Sequence, residues 1–266
     1  MEHDARAGLA RWLVAQWSAS LRAAMEFRAA FLGQVIFMIA NNLLFLVFWV
    51  IFFERFEQVG GWGLRELALL YGVAAAGFGL SMVFLGGLPE LARRISQGRL
   101  DDLLLKPRPV LCQAAVSKMR VSGLGDLAVG VGLFAVSGHA QGWDWLFFPV
   151  ASVIACLAFG AFGTICSSLA FWAGRADTVA AQATHALVVV AIYPPGAFSG
   201  WSRTVLFLLL PAGLMSYLPA ELLIEWSWSQ AGVLLFGNAV LFVLALWAWS
   251  AGLARYESGN LTQALE

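Results

Sequence analysis

The sequence predicts an all-α polytopic membrane protein with six transmembrane helices, an N-terminal interfacial helix and a broken, re-entrant outer segment between helices 5 and 6. Three observations predict it. Of 266 residues, 61% are hydrophobic and 12% are charged, where an ordinary soluble domain has roughly 45–50% and about 25%. The 16 Lys+Arg and 16 Asp+Glu are too few to cover a soluble globule of this length. The apolar residues gather in runs close to the roughly 20 that one bilayer crossing requires. Net charge is zero, so no basic excess points to nucleic acid, and the information lies in where the charges sit.

Residues 1–29 are too charged for a signal peptide and have no apolar h-region. They read as a surface helix: Leu9, Trp12, Leu13, Trp17, Leu21 and Met25 share one side, and Arg11, Ser18 and Arg22 lie opposite. That pattern suits a helix lying in the membrane interface. The crossings are then Val35 to Phe53, Leu67 to Leu88, Val121 to Val136 with a start that extends earlier, Trp145 to Trp172, Thr178 to Phe198, and Ala231 to Leu253. A seventh stretch, Thr204 to Ala220, is 17 residues long and carries Pro211 and Pro219. It is better read as a re-entrant or interfacial excursion. The whole chain is one transmembrane domain, with helices 1 and 2 in 30–88, a charged loop in 89–113, helices 3 to 5 in 114–198, the outer segment in 199–230, and helix 6 with the tail in 231–266.

An even number of crossings puts both termini on one side, and the basic residues identify it. Arg6, Arg11, Arg22, Arg28, Arg93, Arg94, Arg99, Lys106, Arg108, Lys118, Arg120, Arg175 and Arg255 share the side of the termini, against Arg55, Arg65 and Arg203 on the other. The positive-inside rule makes that side cytoplasmic, in an inner membrane. Trp62, Trp143, Trp145, Trp201, Trp226 and Trp228 fall at the opposite boundary, where an amphipathic ring prefers to sit.

The longest charged segment runs from Pro89 to Pro109. Pro89 suits a helix first turn, Leu91 and Ile95 repeat at i, i+4, and Gly98 suits a C-cap. A second short apolar piece, Leu100 to Leu105, is stopped by Pro107 and Pro109. A mere connector has no need of Leu100, Leu103, Leu104 and Leu105 in water, so they either dip into the interface or dock on another protein. The stretch Gly98-Arg-Leu-Asp-Asp-Leu-Leu-Leu-Lys-Pro107 resembles the cytoplasmic loop of permease subunits in the type-2 ABC transporter family. The tail Arg255-Tyr-Glu-Ser-Gly-Asn260 resembles the end of one bacterial branch of it.

That resemblance implies an exporter in which two permease chains, identical or paralogous, each dock a separate cytoplasmic ATPase subunit that carries the ATP and Mg. The coupling element would be Arg93, Arg94, Gly98, Arg99, Leu100, Asp101, Asp102, Leu103 and Leu104, with the helix bearing Trp12, Trp17 and Arg22 as a second contact. ATP-driven closure of the ATPase pair would tilt the helices so that a cleft passes cargo outward. The mostly apolar spans suit a hydrophobic or amphipathic cargo, such as a drug-like, lipid-linked or polysaccharide-type molecule. A stand-alone secondary carrier and a non-transporting membrane anchor are the competing readings; a carrier usually shows duplicated broken helices, and one broken region is evident here.

Other chemistry is sparse. A P-loop requires a Lys after a Gly-rich turn to reach phosphates, and Lys106 and Lys118 do not follow one. The chain is therefore expected to be no enzyme and to bind no cofactor itself. Ser199 and His185 lie 14 residues apart on one run, roughly 21 Å along a helix, too far for a serine nucleophile and its base. His3, His139 and His185 are scattered, without metal-ligand spacing. Cys112, Cys156 and Cys166 make no disulfide framework and read as buried thiols.

Polar residues within spans are functional candidates because their burial in lipid is costly. Asn41 and Asn42 in helix 1, and Gln182 and His185 at i, i+3 in helix 5, could line a translocation path or form interhelical hydrogen bonds. Asp126 is expected to pair with Arg120 or Lys118. Gly77, Gly79, Gly86 and Gly87 in helix 2, with Gly123, Gly125, Gly130 and Gly132 in helix 3, predict tight helix packing. Pro194 and Pro195 must break helix 5, and with Glu221 and Glu225 they make a candidate outer gate.

Overall fold

The computed structural model describes residues 2–173, 176–198, 200–201 and 210–256, with side chains from residue 8 onward. Gly174, Arg175, Ser199, residues 202–209 of the outer segment and residues 257–260 of the tail lie outside the described residues. The helices are α1 (Glu2–Met25), α2 (Arg28–Arg55), α3 (Leu64–Phe84), α4 (Leu91–Ser96), α5 (Asp101–Leu104), α6 (Val110–Ala115), α7 (Ser122–Val136), α8 (Asp144–Ser168), α9 (Asp177–Ala191), α10 (Leu218–Ile224) and α11 (Trp228–Leu253). No strand occurs among the described residues, and one isolated bridge joins Val59 to Trp62.

Four helices, Arg28–Arg55, Leu64–Phe84, Asp144–Phe171 and Trp228–Leu253, are long and apolar enough to cross a membrane. The other two expected crossings are shorter: α7 and α9 have 15 residues each, about 22 Å at 1.5 Å per residue. Helix 3 does not start before Ser122, because Ser117 to Val121 turn back along the end of α3 and the Arg120 N–H donates to Met82 O at 3.0 Å. Helix 5 stops at Ala191 instead of Phe198, since neither Pro194 nor Pro195 has an N–H to continue the ladder. Helix 2 ends at Phe84, short of Leu88. There Gly87 donates to Ala115 O at 2.9 Å, and a Cβ at Gly87 would sit 1.9 Å from Ala114 O.

The central element is α3, with 78% of its apolar window buried, against 11% for α2 and 22% for α11. Its small residues explain the position: a Cβ on Gly79 would lie 2.6 Å from Gly123 O of α7, and one on Gly130 would lie 2.6 Å from Ala76 N of α3. The two backbones touch where the sequence places its glycines, as small faces allow. The exposed sides of α2 and α11 carry Phe37, Leu44, Phe236 and Trp247, an apolar surface of the kind that meets lipid.

Residues 213–224, a π-helical turn followed by α10, return into the protein instead of running along its surface. Met215, Tyr217, Ala220, Leu222 and Leu223 are buried, and Tyr217 Oη donates to Val190 O at 2.8 Å. Val190 O lacks its helical partner because the residue four along is Pro194, which has no N–H to offer, and it accepts the Tyr193 N–H at 3.3 Å together with the Tyr217 hydroxyl. Cys156 and Cys166 are buried free thiols, whereas Cys112 is only half-buried.

Candidate functional site

Three separate parts of the chain converge on the end of the bundle where α3 stops. The first is α1. Trp17 Nε1 donates to Phe84 O at 3.0 Å, a carbonyl in the last turn of α3 that has no partner within its own helix, and the Trp17 and Phe84 rings meet edge to face at 5.0 Å. Further along, Arg108 lies 6.0 Å over the Trp12 ring and its Nη2 donates to Gly8 O at 3.4 Å. Trp12 and Trp17 are thus half-buried on the protein side, and Arg22 is exposed on the other.

The second part is the loop from Pro89 to Pro109. At Gly98 (φ +66°) the chain closes α4 with Arg99 N to Arg94 O at 2.9 Å and Gly98 N to Ile95 O at 3.1 Å, the paired bonds of a Schellman cap. Glu90, at the start of this helix, gathers four cations: Lys118 at 2.9 Å, Arg120 at 3.5 Å, Arg93 at 3.8 Å and Arg94 at 4.0 Å. The hydrogen bond from Lys118 holds the Glu90 carboxyl below the usual carboxylate range, with Lys118, Arg120 and Arg93 adding their charge against the opposing effect of burial. Gln113, buried in α6, donates to Leu103 O at 3.0 Å and to Arg108 O at 2.7 Å, fixing the turn that follows α5.

The structure divides the four leucines. Leu100 and Leu103 are buried, at 0% and 7% exposure, whereas Leu104 and Leu105 are 46% and 87% exposed. Leu100 and Leu103 therefore belong to the chain's own core, in one buried cluster with the spanning helices, with α4 packed on α8 and α9 and α5 packed on α6. Arg93, Arg99, Asp102, Leu104 and Leu105 remain exposed on the loop, and Asp101 and Arg94 are half-buried.

The third part is the end of the chain. Tyr256 Oη accepts the Leu100 N–H at 3.4 Å, and its ring meets Phe171 at 6.2 Å. Burial, followed by a hydrogen bond with Asp101, pushes the Tyr256 phenol above its ordinary value.

Within the bundle, a cavity of about 550 Å³ opens between α2, α3, α8 and α9, with Asn41, Asn42, Tyr71, Asp126 and His185 on its wall. The expected pairing of Asp126 with Arg120 or Lys118 does not occur: both cations are held by Glu90, and Asp126 Oδ1 instead accepts from Asn42 Nδ2 at 2.8 Å. Asn42 also donates to Met38 O at 2.9 Å and accepts from the Tyr71 hydroxyl. Asn42 is thus buried and bonded across helices, whereas Asn41 is exposed at the cavity mouth. His185 borders the cavity but Gln182 does not, and both are exposed. At the opposite end, Pro194 and Pro195 are buried, Glu221 accepts from Gln230 Nε2 at 3.2 Å, and Glu225 is exposed.

A family model described as ABC-2 family transporter protein matches residues 38–260. The chain belongs to the ABC-2 transporter family. It is a multi-pass, all-helical permease subunit of an ABC transporter, of a kind that works with an ATPase partner. The matched region of this ABC-2 permease includes both the loop at 98–107 and the tail to residue 260, and begins within α2, so α1 lies outside it. Comparisons with curated proteins and with solved structures find no match.

Sequence reasoning missed Glu90, Gln113 and Tyr217. Glu90 had a signal, being the lone acid among the basic residues that open the loop. The Tyr217 bond had only a partial one, since the prolines remove the i+4 donors at the end of α9 and leave its last carbonyls open to other partners. Nothing in the sequence pattern marked Gln113.

Proposed function

We propose that this ABC-2 permease crosses an inner membrane six times with both termini in the cytoplasm. Two copies, or two paralogous chains, would pair and use two cytoplasmic ATPase subunits to export a hydrophobic or amphipathic cargo. The observation that carries the reading is the joining of α1, the loop from Pro89 to Pro109 and Tyr256 into one platform through Trp17–Phe84, Arg108–Gly8 and Tyr256–Leu100. A platform tied together from three directions moves as a unit, and a coupling element must do that to convey force. The 13-to-3 division of Lys and Arg supports placing this face in the cytoplasm. The short α7 and α9 cross where the bilayer thins locally or the flanking turns complete the span.

The path for force runs through Glu90. Pressure on α4 and α5 reaches Lys118 and Arg120 through that carboxylate, then the start of α7, whose backbone rests directly on α3. Both α3 and α7 border the central cavity through Tyr71 and Asp126, so a tilt of either changes its shape.

The test is to purify the tagged protein from its own membranes in mild detergent and identify what accompanies it by mass spectrometry. A stoichiometric P-loop ATPase is expected, and a second six-span chain would define a heterodimer. A stable lone chain or homodimer with no ATPase would overturn the ATP-driven reading in favour of a stand-alone carrier.

A further inference from the structure

The cations around Glu90 outnumber the charge that holds them. Lys118 and Arg120 share its Oε1, Arg93 and Arg94 share its Oε2, and all four lie within 4.0 Å, so one carboxylate faces four positive groups. Three charges are left in excess. The loop's other acids stand elsewhere: Asp101 is engaged with Tyr256, and Asp102 is exposed on α5. Like charges held this close repel one another, and an anion relieves the repulsion. The cluster is open to receive one. The side chains of Arg93 and Lys118 are more than half exposed, and the hydrogen bond from Lys118 Nζ to Glu90 is itself exposed, which leaves two further Nζ protons to offer.

Depth selects the anion. The helix α3 is long and apolar enough to cross a membrane and ends at Phe84. The Arg120 N–H donates to Met82 O inside its last turn, at 3.0 Å, and Arg120 Nε donates to Gly86 O, two residues past its end, at 3.1 Å. Trp17, a ring that favours the bilayer boundary, donates to Phe84 O at the same level. The cluster therefore lies level with the end of a crossing, where lipid headgroups lie. Basic pockets at that depth bind anionic headgroups, and the oxygens of a phosphate match the N–H groups of Arg and Lys. We propose that the Glu90 cluster holds the phosphate of an anionic phospholipid, with Lys118 and Arg93 on its oxygens and Glu90 fixing the spacing of the cations. A soluble phosphate presents the same oxygens, but the bilayer supplies the lipid at this depth. The proposal rests on α3 crossing the bilayer and not on the ATPase partnership or the cargo.

The probes are dioleoylphosphatidylglycerol, which carries a net negative charge, and dioleoylphosphatidylcholine, whose phosphate is balanced by its own ammonium. The full chain, stripped of native lipid in dodecylmaltoside, is titrated with each, and bound lipid is counted by native mass spectrometry. The glycerol lipid is expected to bind at least about tenfold more tightly, and Arg93→Gln combined with Lys118→Gln is expected to reduce that preference to about twofold. Lys106→Gln combined with Arg55→Gln removes the same charge from exposed residues outside the cluster and should leave the preference in place. Equal binding of the two lipids to the unaltered chain would leave the cluster to an acidic protein partner and overturn the proposal. A preference that survives the first double variant, or that both double variants abolish alike, would also overturn it. Inorganic phosphate, followed by equilibrium dialysis, should bind at least about tenfold more weakly than the glycerol lipid; equal affinity would assign the cluster to a soluble phosphate instead. The unaltered chain and the second double variant can overturn the proposal even where the first fails to fold. None of these results bears on the ATPase, which co-purification tests independently.

Discussion

The Leu100 backbone N–H donates to the Tyr256 hydroxyl at 3.4 Å, across 156 residues of chain. The two residues stand in the two stretches that carry the family resemblance, so the loop is joined to the start of the tail at Tyr256. Tyr256→Phe keeps the ring on Phe171 and removes the hydroxyl. The expected cost is about 1 kcal/mol, read as faster amide hydrogen exchange over Leu100 to Leu104. Unchanged exchange there would show that the tail does not hold the loop.

Glu90 gives the platform a defined pH response. Its folded pKa is lowered below 4.5, mainly by the Lys118 hydrogen bond, so the stabilisation is complete above the ordinary carboxylate pKa and is lost as pH falls through the lower folded value. Protection of the Pro89–Pro109 loop against exchange should hold at neutral pH and down to the ordinary carboxylate range, and fall away only as pH drops through the lowered folded value. Glu90→Gln should loosen the same loop at neutral pH and flatten that acid transition. A transition of the same size in Glu90→Gln would assign it to another group. Lys118 and Arg93 have side chains 54% and 56% exposed, so each single pairing contributes no more than about 1 kcal/mol.

Trp17→Phe preserves the edge-to-face contact with Phe84 and removes the indole N–H that satisfies the Phe84 carbonyl. Losing that bond should make release of α1 easier by about 1 kcal/mol and speed trypsin cleavage at Arg22, which is already exposed. Equal cleavage rates in the variant and the parent would mean that α1 is held by other contacts.

The divided leucines make opposite predictions within three residues. Leu103→Ala should destabilise the chain by about 2–5 kcal/mol, because its side chain is buried in the cluster the loop shares with the spanning helices. Leu104→Asp combined with Leu105→Asp places charge where both side chains are exposed and should leave the fold intact while removing ATPase association. Association that survives the double substitution unchanged would exclude Leu104 and Leu105 as the docking surface.

Much of this architecture follows from local pattern. The excess of apolar over charged residues identifies the solvent as lipid, Gly98 caps α4 in the left-handed region, and Pro194 ends α9, each through a constraint that acts within a few residues. The facing glycines of α3 and α7 likewise announce a close approach, and the apolar side of α1 is visible in its helical spacing.

Tertiary structure decided what spacing leaves open. Leu100, Leu103, Leu104 and Leu105 are chemically identical, and only the packing of the loop against the rest of the chain separates the buried pair from the exposed pair. Asp126 lay close in sequence to Arg120 and Lys118, yet Glu90 took both cations and left the carboxylate to Asn42, 84 residues away. Tyr217 and Tyr256 find their partners, Val190 and Leu100, over 27 and 156 residues. Apolar periodicity and backbone stereochemistry act along the chain and are therefore legible in it. A hydrogen-bond or charge partner is chosen by which groups packing brings within about 3 Å, and that is a property of the assembled helices alone.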